Sequence, residues 1–167
     1  PARRQGAVGI AAAKRKRPKY EYEVAPDVQA DLEAIVRALP DEFGHVDVRR
    51  VVCFRSRGSK ARIYARIWSM PGIFQAALGI EAHYVIEVVE RYDRSSREEQ
   101  ERTLIHELLH IPKTFSGALV PHRCFGKEIN CAREKELHRK LLAARAVEER
   151  ARLLAKSLAA ARPPEAL

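Results

Sequence analysis

His106 and His110 stand four residues apart with Glu107 between them, in the run Leu104-Ile105-His106-Glu107-Leu108-Leu109-His110. On a helix, two side chains at that spacing project from one face, one turn apart, so two imidazoles can grip a single metal ion. A carboxylate beside that face can take a proton from water held at the metal, which is the chemistry of a metal-dependent hydrolase. Imidazole donors favour zinc over magnesium or calcium. A catalytic zinc keeps three protein ligands and leaves its fourth position open. His122 lies twelve residues beyond His110, behind a loop containing Gly117 and Pro121, and is the first candidate for the third ligand.

Glu128, Glu134 and Glu136 are rivals, because a glutamate from the following helix can serve instead. His138, deeper in that helix, reads as a satisfied or exposed helix residue, and His45 and His83 as ordinary turn and strand residues. Cys124 and Cys131 flank the same region. Thiolates favour closed structural sites, whereas a glutamate inside the motif points to an open hydrolytic one. The two cysteines are therefore expected as reduced thiols or, in a thermophile, as a bridge. Tyr84, His83 and Arg123 are candidate donors to a developing oxyanion, and the sequence does not choose among them. The competing reading of the motif is two histidines on a solvated helix face.

The elements around the motif argue against that reading. Ser95/Glu98 and Ser96/Glu99 form overlapping capping boxes that launch a helix, and Pro112 stops it after Ile111. Leu104, Leu108 and Ile111 share one face with Ile105 and Leu109 beside it, and the histidines lie largely opposite. Upstream, order is expected from Tyr20–Val24. Pro26 opens a helix with Val28, Leu32, Ile35, Val36 and Leu39 at helical spacing, ended by Pro40. Residues 46–54 read as a strand, 55–60 as a basic turn, and 61–68 as an alternating strand. Ser69 and Pro71 start a short helix to Leu78 with Gly79 as its cap, and 83–89 is a further strand. After the loop 113–126, a helix from Asn130 to Ala161 would extend about 45 Å. Leu137, Leu141, Ala144, Val147, Ala151, Leu154 and Leu158 form its apolar stripe. The fold class is α+β: a small sheet packed on the motif helix, plus the long C-terminal helix.

The formal charge of +9 is concentrated at one end. Residues 1–19 carry seven basic side chains and no acidic one, which leaves +2 for the rest. This segment reads as a disordered arm. Lys14, Arg15, Lys16, Arg17 and Lys19 are its candidate contacts to a nucleic-acid backbone, without sequence specificity; the alternative is a solvated tail. Arg55, Arg57, Lys60, Arg62 and Arg66, interleaved with Tyr64 and Trp68, add weaker positive character. No apolar run is long enough for a membrane span, no secretory leader is evident, and three cysteines make no disulfide framework. A cytoplasmic protein is expected.

Ile105-His106-Glu107-Leu108-Leu109-His110-Ile111-Pro112, the glycine-containing loop after it, and the pair Pro121-His122 resemble the signature of the predicted archaeal and phage metallopeptidases. The likeness covers roughly residues 25–140 and is strongest across 104–122. It implies a minimal zincin-like fold, with His106, His110 and His122 as zinc ligands and Glu107 as the base. More distantly, the histidine-after-a-loop layout is similar to SprT-like and Wss1-like proteases, which cut proteins crosslinked to DNA. In those a glycine commonly follows the third histidine, where this chain has Arg123-Cys124-Phe125-Gly126.

The expected organisation is a basic arm over 1–19, a metallopeptidase domain over 20–130, and a helix with its tail over 131–167. The expected function is zinc-dependent hydrolysis of peptide bonds in a protein or peptide substrate, with nucleic acid as a candidate neighbour. One alternative is a nucleic-acid- or ribosome-associated binding protein with a structural or vestigial zinc. Another is an assembly protein whose long helix docks a partner. The sequence indicates no oligomeric state.

Overall fold

The computed structural model describes residues 21–59, 61–124 and 127–160. Four strands, β1 (Glu21–Val24), β2 (Val51–Arg57), β3 (Ala65–Ser69) and β4 (Tyr84–Val89), form one sheet in the order β1-β2-β4-β3. β2 and β4 run parallel, while β1 and β3 are antiparallel to their neighbours and form the two edges. Strand alternation sends Val51, Cys53, Ala65, Tyr84, Ile86 and Val88 to one face, where all are buried. That face is covered by α1 (Pro26–Ala38), through Val28, Leu32 and Ile35, and by α5 (Arg97–Leu109), through Leu104, Ile105 and Leu108. The long α6 (Cys131–Ala160) closes the layer with Leu137 and Leu141. The α+β expectation, with a small sheet on the motif helix and a long C-terminal helix, holds.

The remaining elements are α2 (Pro40–Phe43), α3 (Gly72–Leu78), α4 (Glu90–Asp93) and a hairpin of β5 (Arg123–Cys124) with β6 (Lys127–Glu128). The structure differs from the sequence reading at three places. The strand expected from Val46 begins at Val51, because the Asp47 carboxylate accepts from Arg49 N and holds Val48–Arg50 in a 3-10 turn. Pro40 does stop α1, but as the first residue of a new turn it also starts α2. The stripe on α6 packs over only its first turns: Val147, Leu154 and Leu158 are each more than 60% exposed. No described helix is long and apolar enough to cross a membrane. The basic arm, including Lys14, Arg15, Lys16, Arg17 and Lys19, lies outside the described residues.

Candidate metal centre

Of the two candidate capping serines, Ser96 is the N-cap, its Oγ accepting from Glu99 N at 3.2 Å. The helix it starts buries its leucine face against the sheet and turns His106 to the opposite side. His110 is its C-cap rather than part of its last turn, yet keeps right-handed helical dihedrals. The one-turn spacing of the two imidazoles therefore survives.

The chain then returns through a loop pinned from below. The Tyr84 hydroxyl accepts from Gly117 N at 2.8 Å and donates to Ala118 O at 3.0 Å. Gln75 Nε2 donates to Met70 O and Ser116 O at 2.8 and 3.1 Å. Gly117 has φ +83°, and a Cβ there would lie 2.5 Å from Met70 O, so this position requires glycine. Val120 next pairs with His110 twice. Its N–H donates to His110 O at 2.8 Å, and its carbonyl accepts from His110 Nδ1 at 2.6 Å. Two residues later, His122 closes over the helix, its own carbonyl accepting from Ile129 N at 2.9 Å.

His106, His110 and His122 offer ligand atoms that all lie within 4.8 Å of one another. His106 Nε2 is 3.2 Å from His110 Nε2 and 3.2 Å from His122 Nε2. Zinc bound tetrahedrally at 2.0–2.1 Å sets its nitrogen ligands about 3.3 Å apart. The Nδ1 atoms of His106 and His110 face acceptors, Glu134 Oε1 and Val120 O, and so carry their protons. In the neutral rings both Nε2 atoms then present lone pairs toward the same point, a donor set that fits a cation. Burial, with the neighbouring histidines, holds His110 below its ordinary pKa despite the Val120 carbonyl. His110 is buried and His122 exposed, so the cluster is walled on one side and open on the other.

Glu107 is buried beside the cluster. Burial pushes its carboxyl up to about 7, against the favourable field of His106 and the Ile67 backbone. A cleft between β3 and α5, walled by Tyr64, Ala65 and Thr103, opens onto His106 and Glu107.

The other candidates are engaged elsewhere. Glu128 accepts from Asn130, and Glu136 pairs with Arg133 and Lys140. Glu134 meets His106 at Nδ1, away from the convergent nitrogens. Cys131 is a free thiol 2.9 Å from Arg102 Nη2. His45 Nε2 donates to Ile111 O, and His83 Nδ1 donates to Glu81 O. His138 is buried and donates to Glu101 Oε2 at 2.8 Å. Tyr84 is fully buried and holds the loop, which removes it as an oxyanion donor. Arg55 is matched by Asp27 and Asp93, Arg57 by Glu23, and Arg66 by Glu87, so these strand arginines are paired locally. The sequence reading weighed Glu134 only as a ligand and missed its contact with Nδ1. It also missed the Val120 carbonyl. Neither leaves a periodic or motif signal, since both depend on where the loop and α6 come to rest.

A family model described as "Putative phage metallopeptidase" matches residues 20–144. No curated protein and no solved structure matches the chain.

Proposed function

The chain belongs to the phage metallopeptidase family, and from that premise we propose that it is a zinc-dependent peptidase acting through His106, His110, His122 and Glu107. The observation that carries this reading is the convergence of three imidazoles, two of them with Nδ1 protons held outward, beside a buried carboxylate. His106, His110 and His122 would hold the ion. A zinc ion bound there supplies a Lewis acid that acidifies water and polarises a carbonyl.

The protein's own groups supply the rest. Buried beside the three imidazoles, the Glu107 carboxylate can accept a proton from the attacking water and return it to the departing amine. The outer edge of β3 has no strand partner among the described residues and borders the cleft. An extended peptide could pair with that edge and be held across the site. The buried sides of His110 and Glu107 exclude bulk water, while exposed His122 marks the side from which substrate enters.

A structural or vestigial zinc is the weaker reading. A structural site is closed and has no use for a buried base, whereas this cluster opens to solvent next to Glu107. The test is a peptide-library cleavage assay on the zinc-loaded chain and on Glu107→Gln. The reading predicts metal-dependent cleavage that falls by about 10²–10⁴-fold in the variant while zinc stays bound. Equal cleavage by the two proteins would contradict the role given to Glu107.

A further inference from the structure

His106 and His110 use their Nδ1 protons differently. His110 gives its proton to a backbone carbonyl, Val120 O, so its orientation depends on the path of the loop. His106 gives its proton to a side chain, Glu134 Oε1 at 2.9 Å, contributed by the first turns of α6. The second oxygen of Glu134 accepts from Arg102 Nη2 at 3.2 Å, and the same guanidinium nitrogen lies 2.9 Å from Cys131 Sγ. Arg102 stands one turn before His106 on α5. The Glu134 and Arg102 side chains keep only 16% and 20% of their exposure, so water competes weakly for these contacts.

We infer that Glu134 is a positioning residue for the metal centre, and that Arg102 in turn positions Glu134. This rests on the proposal that His106 is a metal ligand. A neutral imidazole has two tautomers of similar energy, and only the one protonated at Nδ1 leaves Nε2 free to coordinate. A carboxylate accepts and never donates, so Glu134 selects that tautomer. It also fixes the ring's rotation and raises the basicity of the ligating nitrogen. A neutral acceptor would do the first two and less of the third. Arg102 keeps the carboxylate from swinging to the convergent face, where it would compete as a ligand. Through Glu134, the start of α6 becomes part of the centre.

The experiment measures zinc affinity of the full chain by competition with a chromophoric chelator, for wild type, Glu134→Ala, Glu134→Gln, Arg102→Ala and Arg102→Lys. Circular dichroism monitors the fold, and nitrogen-15 spectra of the histidine side chains report the His106 tautomer. Positioning predicts that Glu134→Ala binds zinc about 10–100-fold more weakly and loses the single Nδ1-protonated signature of His106. Glu134→Gln keeps one acceptor for His106 Nδ1 but turns its amide N–H toward Arg102, so it should lose less affinity than Glu134→Ala. Arg102→Lys should recover much of what Arg102→Ala loses. Wild-type affinity in Glu134→Ala would overturn the inference and leave the metal site standing. Loss in Glu134→Gln as deep as in Glu134→Ala would overturn it in favour of a direct ligand. Absence of zinc binding by the wild type would remove both the inference and the reading beneath it.

Discussion

Helix α5 carries two polar clusters, five residues apart in sequence, and both are completed by other parts of the chain. At Glu101 every strong group is answered. One carboxylate oxygen accepts from Arg97 at 2.9 Å and Arg145 at 2.6 Å, and the other accepts from His138 at 2.8 Å. At His106 the opposite holds: its Nε2 lies 3.2 Å from the Nε2 of His110 and of His122, and with Nδ1 protonated in His106 and His110 those two face each other as lone pairs. The first cluster is closed within the protein and reads as a tie between α5 and α6. The second leaves the nitrogens of His106 and His110 unmatched, an arrangement that a cation between the rings would answer. Both contain histidine and glutamate, so composition does not separate a closed cluster from an open one. Whether donors and acceptors are matched does.

Glu101→Ala probes the closed cluster and carries the largest expected change in stability. Removing one partner of a buried, hydrogen-bonded ion cluster should cost about 3 kcal/mol, the low end of the usual range because Arg97 and Arg145 can turn to water. Urea unfolding would read the cost, and zinc stoichiometry should not change. Loss of zinc without loss of stability would erase the distinction between the clusters. Gly117→Ala probes the open one. The strained φ alone should cost about 1–2 kcal/mol, and the clash with Met70 O should displace the loop that carries His122. Zinc affinity should then fall more than unfolding stability does, and the reverse order would mean that the loop does not set His122.

The smallest effect is expected from acid. Burial alone would raise the Glu101 carboxyl, but Arg145, His138 and Arg97 outweigh it and hold it below the ordinary carboxylate value. A group with a depressed folded pKa stabilises fully above its unfolded pKa and loses that contribution as pH falls through the folded value. Stability should therefore decline below about pH 4.5, and Glu101→Ala should show a shallower decline. Parallel acid profiles for the two proteins would remove Glu101 from the account.

The motif helix was legible because its signals are local: a serine cap, the spacing of His106 and His110, and an apolar face at Leu104 and Leu108. The strand at Tyr84–Val89 was legible from its β-branched run. What escaped depends on distant placement. His138 gives no sign in sequence that it will meet Glu101, thirty-seven residues earlier. The stripe on α6 is equally regular on both sides of Arg145, yet Leu137 and Leu141 are buried while Leu154 and Leu158 are exposed. Periodicity reveals an apolar face and is silent on whether anything stands opposite it. Tyr84 was one of three candidate oxyanion donors, because a hydroxyl beside the site can serve either chemistry or architecture. Only its two contacts with the loop assign it to the second.

Metal content of the purified full chain tests the central claim most directly, measured by mass spectrometry on wild type, Glu107→Gln and His122→Ala after zinc reconstitution. The account predicts about one zinc per chain in wild type and in Glu107→Gln, and little in His122→Ala. No zinc in any of the three would contradict the metal centre itself. Full zinc retention in His122→Ala would contradict its assignment to His106, His110 and His122.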